Sequence, residues 1–481
     1  MCVAFLCDSV CEPRSCRLRI SKDSNFARFL CRRNIVQRKV RPIRFALSTE
    51  TDTILTRLCC SNKSRVMDKI DAHLLIQKAV DSLYPIFYRR DQVTKRNLWR
   101  LLEAFRKHRV SPSLFWSSNG YGHGDLGRET LDQIYASLFD CESAMVRLQF
   151  FSGTHAIACC LYGILRPGDE LVSLTGTPYD TLEQVIGIKG NPGNGSLKDF
   201  RIGFRQLDLK ADGEIDLDAV SGFIRKETKL VFFQRSCGYS WRKSTTIRQL
   251  AEAIAHVKGI RPDIICFVDN CYGEFVEEME PTHVGADIIA GSLIKNCGGT
   301  IVPSGGYIAG RTELVELAKS RLCAPGIQGG ATLDHLRSMY QGLFLSPQFV
   351  GEAIKGACLI SQVMSSLGFP VQPLPYEHRT DIIQSVQLGN PSLVSSFCES
   401  VQRMSPVNSY VQPIAGNTPG YEEEVIFANG TFIDGSTSEL SADGPLRSPF
   451  CIFTQGGTSW MHWQLVLEDF VSRYVEDGIK E

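Results

Sequence analysis

The apolar and polar positions of this chain follow a helical period in one segment and form short apolar runs in the rest. Residues 68–120 follow the helical period and are predicted to form an N-terminal helical segment, with apolar side chains at Ile70, Leu74, Leu75, Ala79 and Leu83. From residue 121 onward, short apolar runs alternate with amphipathic segments. The runs predict strands at 144–150, 170–176, 229–235, 263–269, 286–292 and 305–310. The segments between them predict helices, such as those at 153–165 and 246–259.

Strands that alternate with helices in this way predict an α/β fold with a mostly parallel central sheet covered on both faces. Residues 121–345 are assigned to this large domain. The segment 346–481 mixes strands and turns and is assigned to a smaller C-terminal α+β domain.

Composition excludes some classes of protein. The 481 residues are 43% apolar with a formal net charge of zero, so a sizeable core can form and nothing global favours nucleic acid as a partner. No run of uncharged apolar residues reaches the length of a membrane span, so no membrane partner is expected.

The zero net charge conceals a basic leader. Residues 1–49 hold 11 Lys or Arg and 3 Asp or Glu, and they lack the long apolar centre of a secretory signal. This profile is typical of an organelle transit peptide. We expect residues 1–65 to be disordered and to act as a transit peptide for a plastid or a mitochondrion. If they do not, we expect the protein to be cytoplasmic. A basic tail, or a later start at Met67, is the alternative.

The 18 cysteines do not form a recognisable framework. Seven fall in the first 60 residues and the others are scattered, so reduced thiols are expected rather than disulfides. The spacing of cysteine pairs does not match a structural zinc site, and no metal is expected.

Polar residues stand where several predicted strands end. Asp269 ends one strand, and Ser292 ends the next, with Lys295 three residues later. The turn SGTHA, residues 152–156, leads from a strand into a helix. Because ligands in open α/β sheets bind outside the carboxyl ends of the strands, these groups are expected to share one site.

Pyridoxal phosphate (PLP) would use each of these groups. The cofactor needs a lysine amine for a Schiff base, and a carboxylate beside its ring nitrogen. Its phosphate suits a helix N-terminus, here at Gly153 and Thr154, with the Ser292 hydroxyl as a further donor. Tyr179 and His155 are the candidates for stacking on the ring.

Taken singly, each feature has an ordinary structural role. A lysine after a strand is usually on the surface, and an aspartate at a strand end is usually a cap or turn residue. The SGT sequence before a helix is commonly an N-cap. Their occurrence together, in this order along this strand pattern, favours the cofactor.

Several longer motifs carry a resemblance to a known family. They are GYGHGDLGRETLDQIYA, SGTHAI, GTPYDTLEQVIG, QRSCGYSWRKS, VDNCYGEFVE, GSLIKNCGG, GGYIAG, QGGATLDH, ELSADGPLRSP and FTQGG. From about residue 70 to near the C-terminus, the chain resembles the methionine gamma-lyase-like family, also called aluminium-resistance proteins. These are PLP enzymes of the aspartate aminotransferase type I fold, related to the cystathionine lyases. Cys297 departs from the proline expected in the lysine motif.

The resemblance implies roles for individual residues. Lys295 would form the Schiff base and act as catalytic base, and Asp269 would pair with the ring nitrogen. Tyr121, also a catalytic candidate, and Arg128 would reach the phosphate across a subunit interface. A homodimer or homotetramer with shared active sites is therefore expected.

Other polar residues are weaker candidates. Arg379 and Arg447 are preferred over Arg235 for the substrate carboxylate, because a guanidinium matches a carboxylate in shape and charge. His123 is a further polar neighbour of the expected site. Cys237 and Cys271 are expected to be ordinary thiols, since no histidine partner can be assigned to either.

The resemblance implies a PLP-dependent carbon–sulfur lyase acting on a small sulfur amino acid, as in methionine gamma-lyase or cystathionine beta-lyase. Because one fold hosts many reactions, an aminotransferase or another PLP enzyme is the alternative. The alternative from another class is a non-catalytic binding protein linked to metal tolerance.

Overall fold

Seven strands form the central sheet of the computed structural model, which describes residues 71–116, 123–327 and 335–476. They are β1 (Ser143–Arg147), β2 (Glu170–Ser173), β3 (Gly203–Gln206), β4 (Thr228–Gln234), β5 (Ile265–Asp269), β6 (Ile288–Ser292) and β7 (Gly306–Gly310). Their order is β1-β7-β6-β5-β4-β2-β3. Strand β7 runs antiparallel to β1 and β6, whereas β2 to β6 are parallel. The predicted mostly parallel sheet is confirmed.

The helices of this part of the chain cover the sheet. They are α1 (Ala72–Lys107), α2 (Leu126–Leu138), α3 (Gly153–Ile164), α4 (Asp180–Ile186), α5 (Leu217–Phe223), α6 (Ile247–Ile260) and α7 (Thr312–Leu322), with short 3-10 helices at Pro112–Phe115, Pro281–Val284 and Asn296–Gly298. Alternate residues of β4 enter two different apolar clusters: Val231 and Phe233 join one, Leu230 and Phe232 the other. A strand that is buried on both faces reads as a continuous apolar run, as this one does.

A second sheet lies in the C-terminal part. Its strands are β8 (Val371–Gln372), β9 (Gln384–Gln387), β10 (Val425–Ala428), β11 (Leu440–Pro445) and β12 (Cys451–Gly456), in the order β10-β11-β12-β9-β8 with antiparallel pairing. Its helices are α8 (Leu336–Ser366), α9 (Pro391–Arg403) and α10 (Trp460–Glu476). This arrangement matches the smaller α+β part expected from the sequence.

Helix α8 spans one of the predicted domain boundaries. The predicted limit between domains, 345/346, falls inside this continuous helix, so the chain has no break at that point. The helix is long and apolar enough to cross a membrane, but 72% of its most apolar window is buried inside the protein. It is a core helix, and Gly356 on it packs so closely that an added Cβ would stand 2.3 Å from the Trp463 ring.

The strand register brings the predicted polar groups to one edge. Gln234 at the end of β4 pairs with Asp269 at the end of β5, and Asp269 pairs with Ala290 of β6. Helix α3 begins at Gly153, shortly after β1. The apolar pattern did not predict strand β3, which lies at the edge of the sheet opposite β1, or helix α5, which follows β3 in the chain.

Candidate active site

A cavity of about 220 Å³ lies at the carboxyl edge of the central sheet. Both sheets contribute to its wall, because Ile383, Ser436 and Phe453 reach it from the C-terminal part. Six of the residues predicted from the sequence line it together: Gly153, Thr154, Tyr179, Asp269, Ser292 and Lys295. The structure therefore collects in one place groups that are up to 142 positions apart in the sequence.

Lys295 projects into this cavity from the turn after β6. Its Nζ contacts the Tyr272 hydroxyl and donates to the Ser436 carbonyl at 2.6 Å. Tyr272 is held in a left-handed backbone conformation, φ 69°, which is unusual for an aromatic residue and typical of functional sites. Burial lowers the pKa of Lys295 below the usual lysine value, because desolvation disfavours the charged amine.

Asp269 ends β5 and is 4% exposed. Its carboxylate accepts the Cys271 backbone N–H at 3.1 Å. Burial raises the pKa of Asp269 from 3.8 to about 6, because desolvation outweighs that hydrogen bond and the attraction of Lys295. A buried carboxylate of this kind is suited to a cationic partner inside the cavity.

The N-terminus of α3 faces the same cavity. The Ser152 side chain caps the helix by accepting the His155 backbone N–H at 3.1 Å. At Gly153, an added Cβ would stand 3.0 Å from the Ser292 Cβ and 3.3 Å from the Cys271 Sγ. Only glycine leaves this helix end so open, and helix N-termini attract anions through their free N–H groups and dipole.

The two candidates for ring stacking differ in position. Tyr179 lines the cavity, its hydroxyl donates to Thr154 Oγ1 at 2.9 Å, and its backbone N–H donates to Gln234 Oε1 at 2.8 Å. His155 is not among the residues that line the cavity. Its ring Nδ1 accepts the Phe151 backbone N–H at 3.0 Å, which holds the ring toward the preceding turn. Of the two stacking candidates, Tyr179 lines the cavity and His155 does not.

A buried carboxylate in β11, Asp443, organises the wall opposite the sheet. It is 1% exposed and accepts hydrogen bonds from the hydroxyls of Tyr239 at 2.7 Å, Ser436 at 2.8 Å and Ser441 at 2.8 Å. Because the Ser436 carbonyl holds Lys295, this carboxylate fixes the segment that orients the amine. Asp443 was not predicted from the sequence. Tyr239 and Tyr272, which follow β4 and β5, could have been found from the strand-end rule.

The candidate arginines lie in three different places. Arg447 borders the cavity wall: its guanidinium donates to the Tyr239 carbonyl at 3.0 Å and lies 3.8 Å from the Asp180 carboxylate. Arg379 lines a different cleft. Arg235 is fully buried and donates to Asn270 and other internal acceptors, so it is committed to the core. Arg447 is the one adjacent to the site.

Three further predicted residues fall within residues 121–128 of the chain: Tyr121, His123 and Arg128. Tyr121 lies outside the described residues. Arg128 is buried near the start of α2, and His123 is exposed in the turn before it. Neither lines the cavity, and the proposed reach of Arg128 across a subunit interface stays a prediction.

The two cysteines singled out from the sequence, Cys237 and Cys271, carry thiols of raised pKa. The cysteines in the described ranges are free. Burial raises the pKa of Cys237 to about 12 and that of Cys271 well above its usual value, so neither forms a thiolate readily. Cys297 is buried in the short turn after Lys295, where the carbonyl of Lys295 accepts the Gly298 N–H at 3.3 Å. Cysteine in place of the expected proline therefore leaves Lys295 in the cavity.

Within the described ranges no group of three or more His, Cys, Asp or Glu could hold a metal ion.

The residues present fit PLP. The open helix end at Gly153 suits a phosphate, the buried Asp269 suits a protonated ring nitrogen, and the Lys295 amine suits the aldehyde. The donor set thus matches the three polar parts of the cofactor.

Comparison with known proteins agrees with this geometry. A relative called YnbB from Bacillus subtilis, itself uncharacterized, is 49% identical over 374 residues, 77% of this chain and 89% of the relative. The crystal structure of a carbon–sulfur lyase involved in aluminium resistance from Clostridium novyi is 43% identical and superposes with a TM-score of 0.80, covering 88% of this chain and 99% of that one.

More distant structures share the fold alone. Yeast cystathionine gamma-lyase is 18% identical, with a TM-score of 0.50 over 72% of this chain and 86% of that one. The predicted fold class, that of type I PLP enzymes, is confirmed. The sequence profile of the methionine gamma-lyase family matches residues 72–475. This chain therefore belongs to the methionine gamma-lyase family.

Proposed function

We propose that this protein is a PLP-dependent carbon–sulfur lyase that acts on a sulfur amino acid. The observation that carries the proposal is the placement of Lys295, Asp269 and the open N-terminus of α3 around one cavity. Family membership supports the same reaction class.

PLP, when bound, supplies an electron sink that stabilises negative charge at the substrate α-carbon. Asp269 would keep the ring nitrogen protonated, because its buried carboxylate would gain a cationic partner there. The N–H groups of Gly153 and Thr154 would hold the phosphate, with the Ser292 hydroxyl as a further donor. Tyr179 would stack on the ring.

Lys295 acts as the base on the α-proton of the substrate. Burial lowers the pKa of this lysine, which increases the share of the neutral amine able to accept a proton. Tyr272 and the Ser436 carbonyl hold Nζ on the cavity side. The net reaction consumes one water and releases a thiol, ammonia and a 2-oxo acid.

Arg447 is the proposed partner of the substrate carboxylate. It borders the cavity beside Tyr239, and its present partners Glu423 and Asp180 are 3.3 and 3.8 Å away, longer than a tight charged pair. The aromatic side chains of Tyr239, Tyr421 and Phe453 form an apolar wall suited to a thioether or thiol side chain.

An assay of product release tests the proposal. Purified protein supplied with PLP is incubated with L-methionine, L-cystathionine or L-cysteine and no keto acid, and ammonia and 2-oxo acid are measured. Release in equal amounts that is lost in Lys295→Ala supports the lyase. Turnover that requires an added keto acid would indicate an aminotransferase instead.

We also propose that the protein forms a homodimer or homotetramer, and that it resides in a plastid or mitochondrion. The first rests on the family resemblance of Tyr121 and Arg128, and the second on the basic leader. Sedimentation of the protein and imaging of the leader fused to a fluorescent protein test them separately.

A further inference from the structure

A second cleft, of about 690 Å³, lies between helices α1 and α8 and the segments 276–279 and 376–379. We call it the arginine cleft, because Arg90 of α1 and Arg379 both line it. None of the residues that line it lines the Lys295 cavity. The proposed reaction therefore gives this cleft no role.

Arg90 presents an unused hydrogen-bonding edge. Its Nε and Nη2 atoms are buried and have no hydrogen-bond partner. These two N–H groups lie side by side on one edge of the planar guanidinium, the edge that binds a carboxylate or phosphate through two parallel hydrogen bonds. Burial lowers the pKa of Arg90 to about 10, which still leaves it positively charged at neutral pH.

Arg379 adds a second cation to the same cleft. The residue is 5% exposed, and its Nη2 donates to Gln384 Oε1 at 2.6 Å, which fixes the guanidinium. Its Nε and Nη1 are buried and have no hydrogen-bond partner. Two arginines with unused donors thus line the same cleft.

The three acidic residues of the cleft are engaged with other partners. Glu278 pairs with Arg96 at 2.5 Å. Glu277 accepts from Arg235 at 2.7 Å and from His378 at 3.0 Å. Glu377 accepts from the Leu374 backbone N–H at 2.7 Å and from Lys243 at 3.0 Å. The carboxylates of the wall therefore leave the free N–H groups of both arginines unsatisfied.

Buried donors on a charged group are rarely left without partners, because each lost hydrogen bond leaves a desolvation cost. We propose that the arginine cleft binds an oxyanion, a carboxylate or phosphate group, between Arg90 and Arg379. The bound oxyanion accepts from the free N–H groups and neutralises part of the buried positive charge.

Calorimetric titration of the PLP-saturated protein tests this site. Saturation with PLP fills the phosphate cradle at α3, so that cradle does not compete. Inorganic phosphate and malonate are titrated separately at fixed ionic strength, into wild type and into Arg90→Gln, Arg379→Gln and Arg106→Gln. Arg106 is the matched control, because it lies on the same helix with its side chain 77% exposed.

We expect saturable binding of at least one of the two anions. Since hydrogen bonds to charged groups contribute about 1.5–3 kcal/mol each, Arg90→Gln and Arg379→Gln should weaken it about 10- to 100-fold. Arg106→Gln should bind as wild type does. Binding of phosphate alone or malonate alone would identify which oxyanion the cleft accepts.

Two results would overturn the proposal. One is the absence of saturable heat with both anions, which would leave these N–H groups to ordered water. The other is equal binding by wild type and Arg90→Gln, which would place the anion outside the arginine cleft. If Arg379→Gln does not fold, Arg90→Gln decides alone. The titration measures anion binding and the product assay measures turnover, so failure of the proposed lyase activity and failure of this site are distinguishable.

Discussion

Replacing Asp269 with asparagine should stabilise the cofactor-free protein against unfolding at neutral pH while it disables the active site. Asparagine keeps an oxygen that can accept the Cys271 backbone N–H, now at 3.1 Å from the carboxylate. It removes a negative charge that is buried without a full counter-charge in this state. Active-site charges of this kind are commonly held at a cost to stability.

The size of the effect follows from the pKa of Asp269, which burial raises from 3.8 to about 6. One pKa unit corresponds to about 1.4 kcal/mol, so ionisation of Asp269 costs the folded state about 3 kcal/mol. The cost is absent below pH 3.8, because the carboxyl is then protonated in both states. It grows as pH rises and is complete above the folded pKa. Between pH 4.5 and 7.5, ionisation of Asp269 therefore lowers the free energy of unfolding of wild type by about 2 kcal/mol through proton linkage.

Urea unfolding of the cofactor-free proteins at several pH values measures this change. The free energy of unfolding of wild type, relative to that of Asp269→Asn, should fall by about 2 kcal/mol from pH 4.5 to 7.5. Asp218→Asn is the matched control, because the Asp218 side chain is 98% exposed, and its curve should follow that of wild type.

A parallel pH dependence for wild type and Asp269→Asn would refute the reasoning, since the carboxylate would then not be held in a desolvated state. Adding PLP should reverse the order of stability. With PLP bound, the wild-type carboxylate has a cationic partner, whereas the asparagine does not.

The other predictions concern single contacts of the site. Arg447→Gln should raise the KM for the amino-acid substrate about 10- to 100-fold, whereas Arg379→Gln should change it less than about threefold, as steady-state kinetics would show. Gly153→Ala should weaken PLP binding, measured by equilibrium titration, because the new Cβ would stand 3.0 Å from the Ser292 Cβ; unchanged affinity would remove the helix end from the phosphate site. Tyr239→Phe should lower the free energy of unfolding by about 1–3 kcal/mol, because it leaves a buried carboxylate with one donor fewer; chemical denaturation would measure it.

The central sheet could be predicted because its strands are buried on both faces. A continuous apolar run such as 229–235, bounded by turns and helices, is typical of a strand of this kind, and the structure has β4 at Thr228–Gln234. Strand β3, GFRQ, could not be predicted in this way because its residues are half-buried or exposed at the edge of the sheet, where no apolar run is needed.

The large-domain half of the site could also be predicted. Asp269, Ser292 and Lys295 follow buried strands, and parallel strands bring their carboxyl ends to one edge. Asp443 and Ser436 could not be found in this way. Ser436 reaches the cavity from the segment before β11, and Asp443 of β11 accepts its hydroxyl. Only tertiary packing decides which residue of the C-terminal part meets Lys295.

Two assignments show the limits of spacing as a guide. His155 lies one residue from Thr154, yet its ring is held by the Phe151 backbone N–H and does not line the cavity. Arg379 was favoured for the substrate carboxylate because of its residue type, and it lines the other cleft. The direction of a side chain, which the sequence does not encode locally, separates these residues from their neighbours in the site.

The most direct test of the account is to locate the lysine that binds PLP. The protein supplied with PLP is reduced with borohydride, digested and mapped by mass spectrometry, beside Lys295→Ala treated in the same way. The account predicts one pyridoxyl group on the peptide that contains Lys295, with none retained by the variant. A pyridoxyl group on another lysine, or no covalent label in wild type, would contradict it.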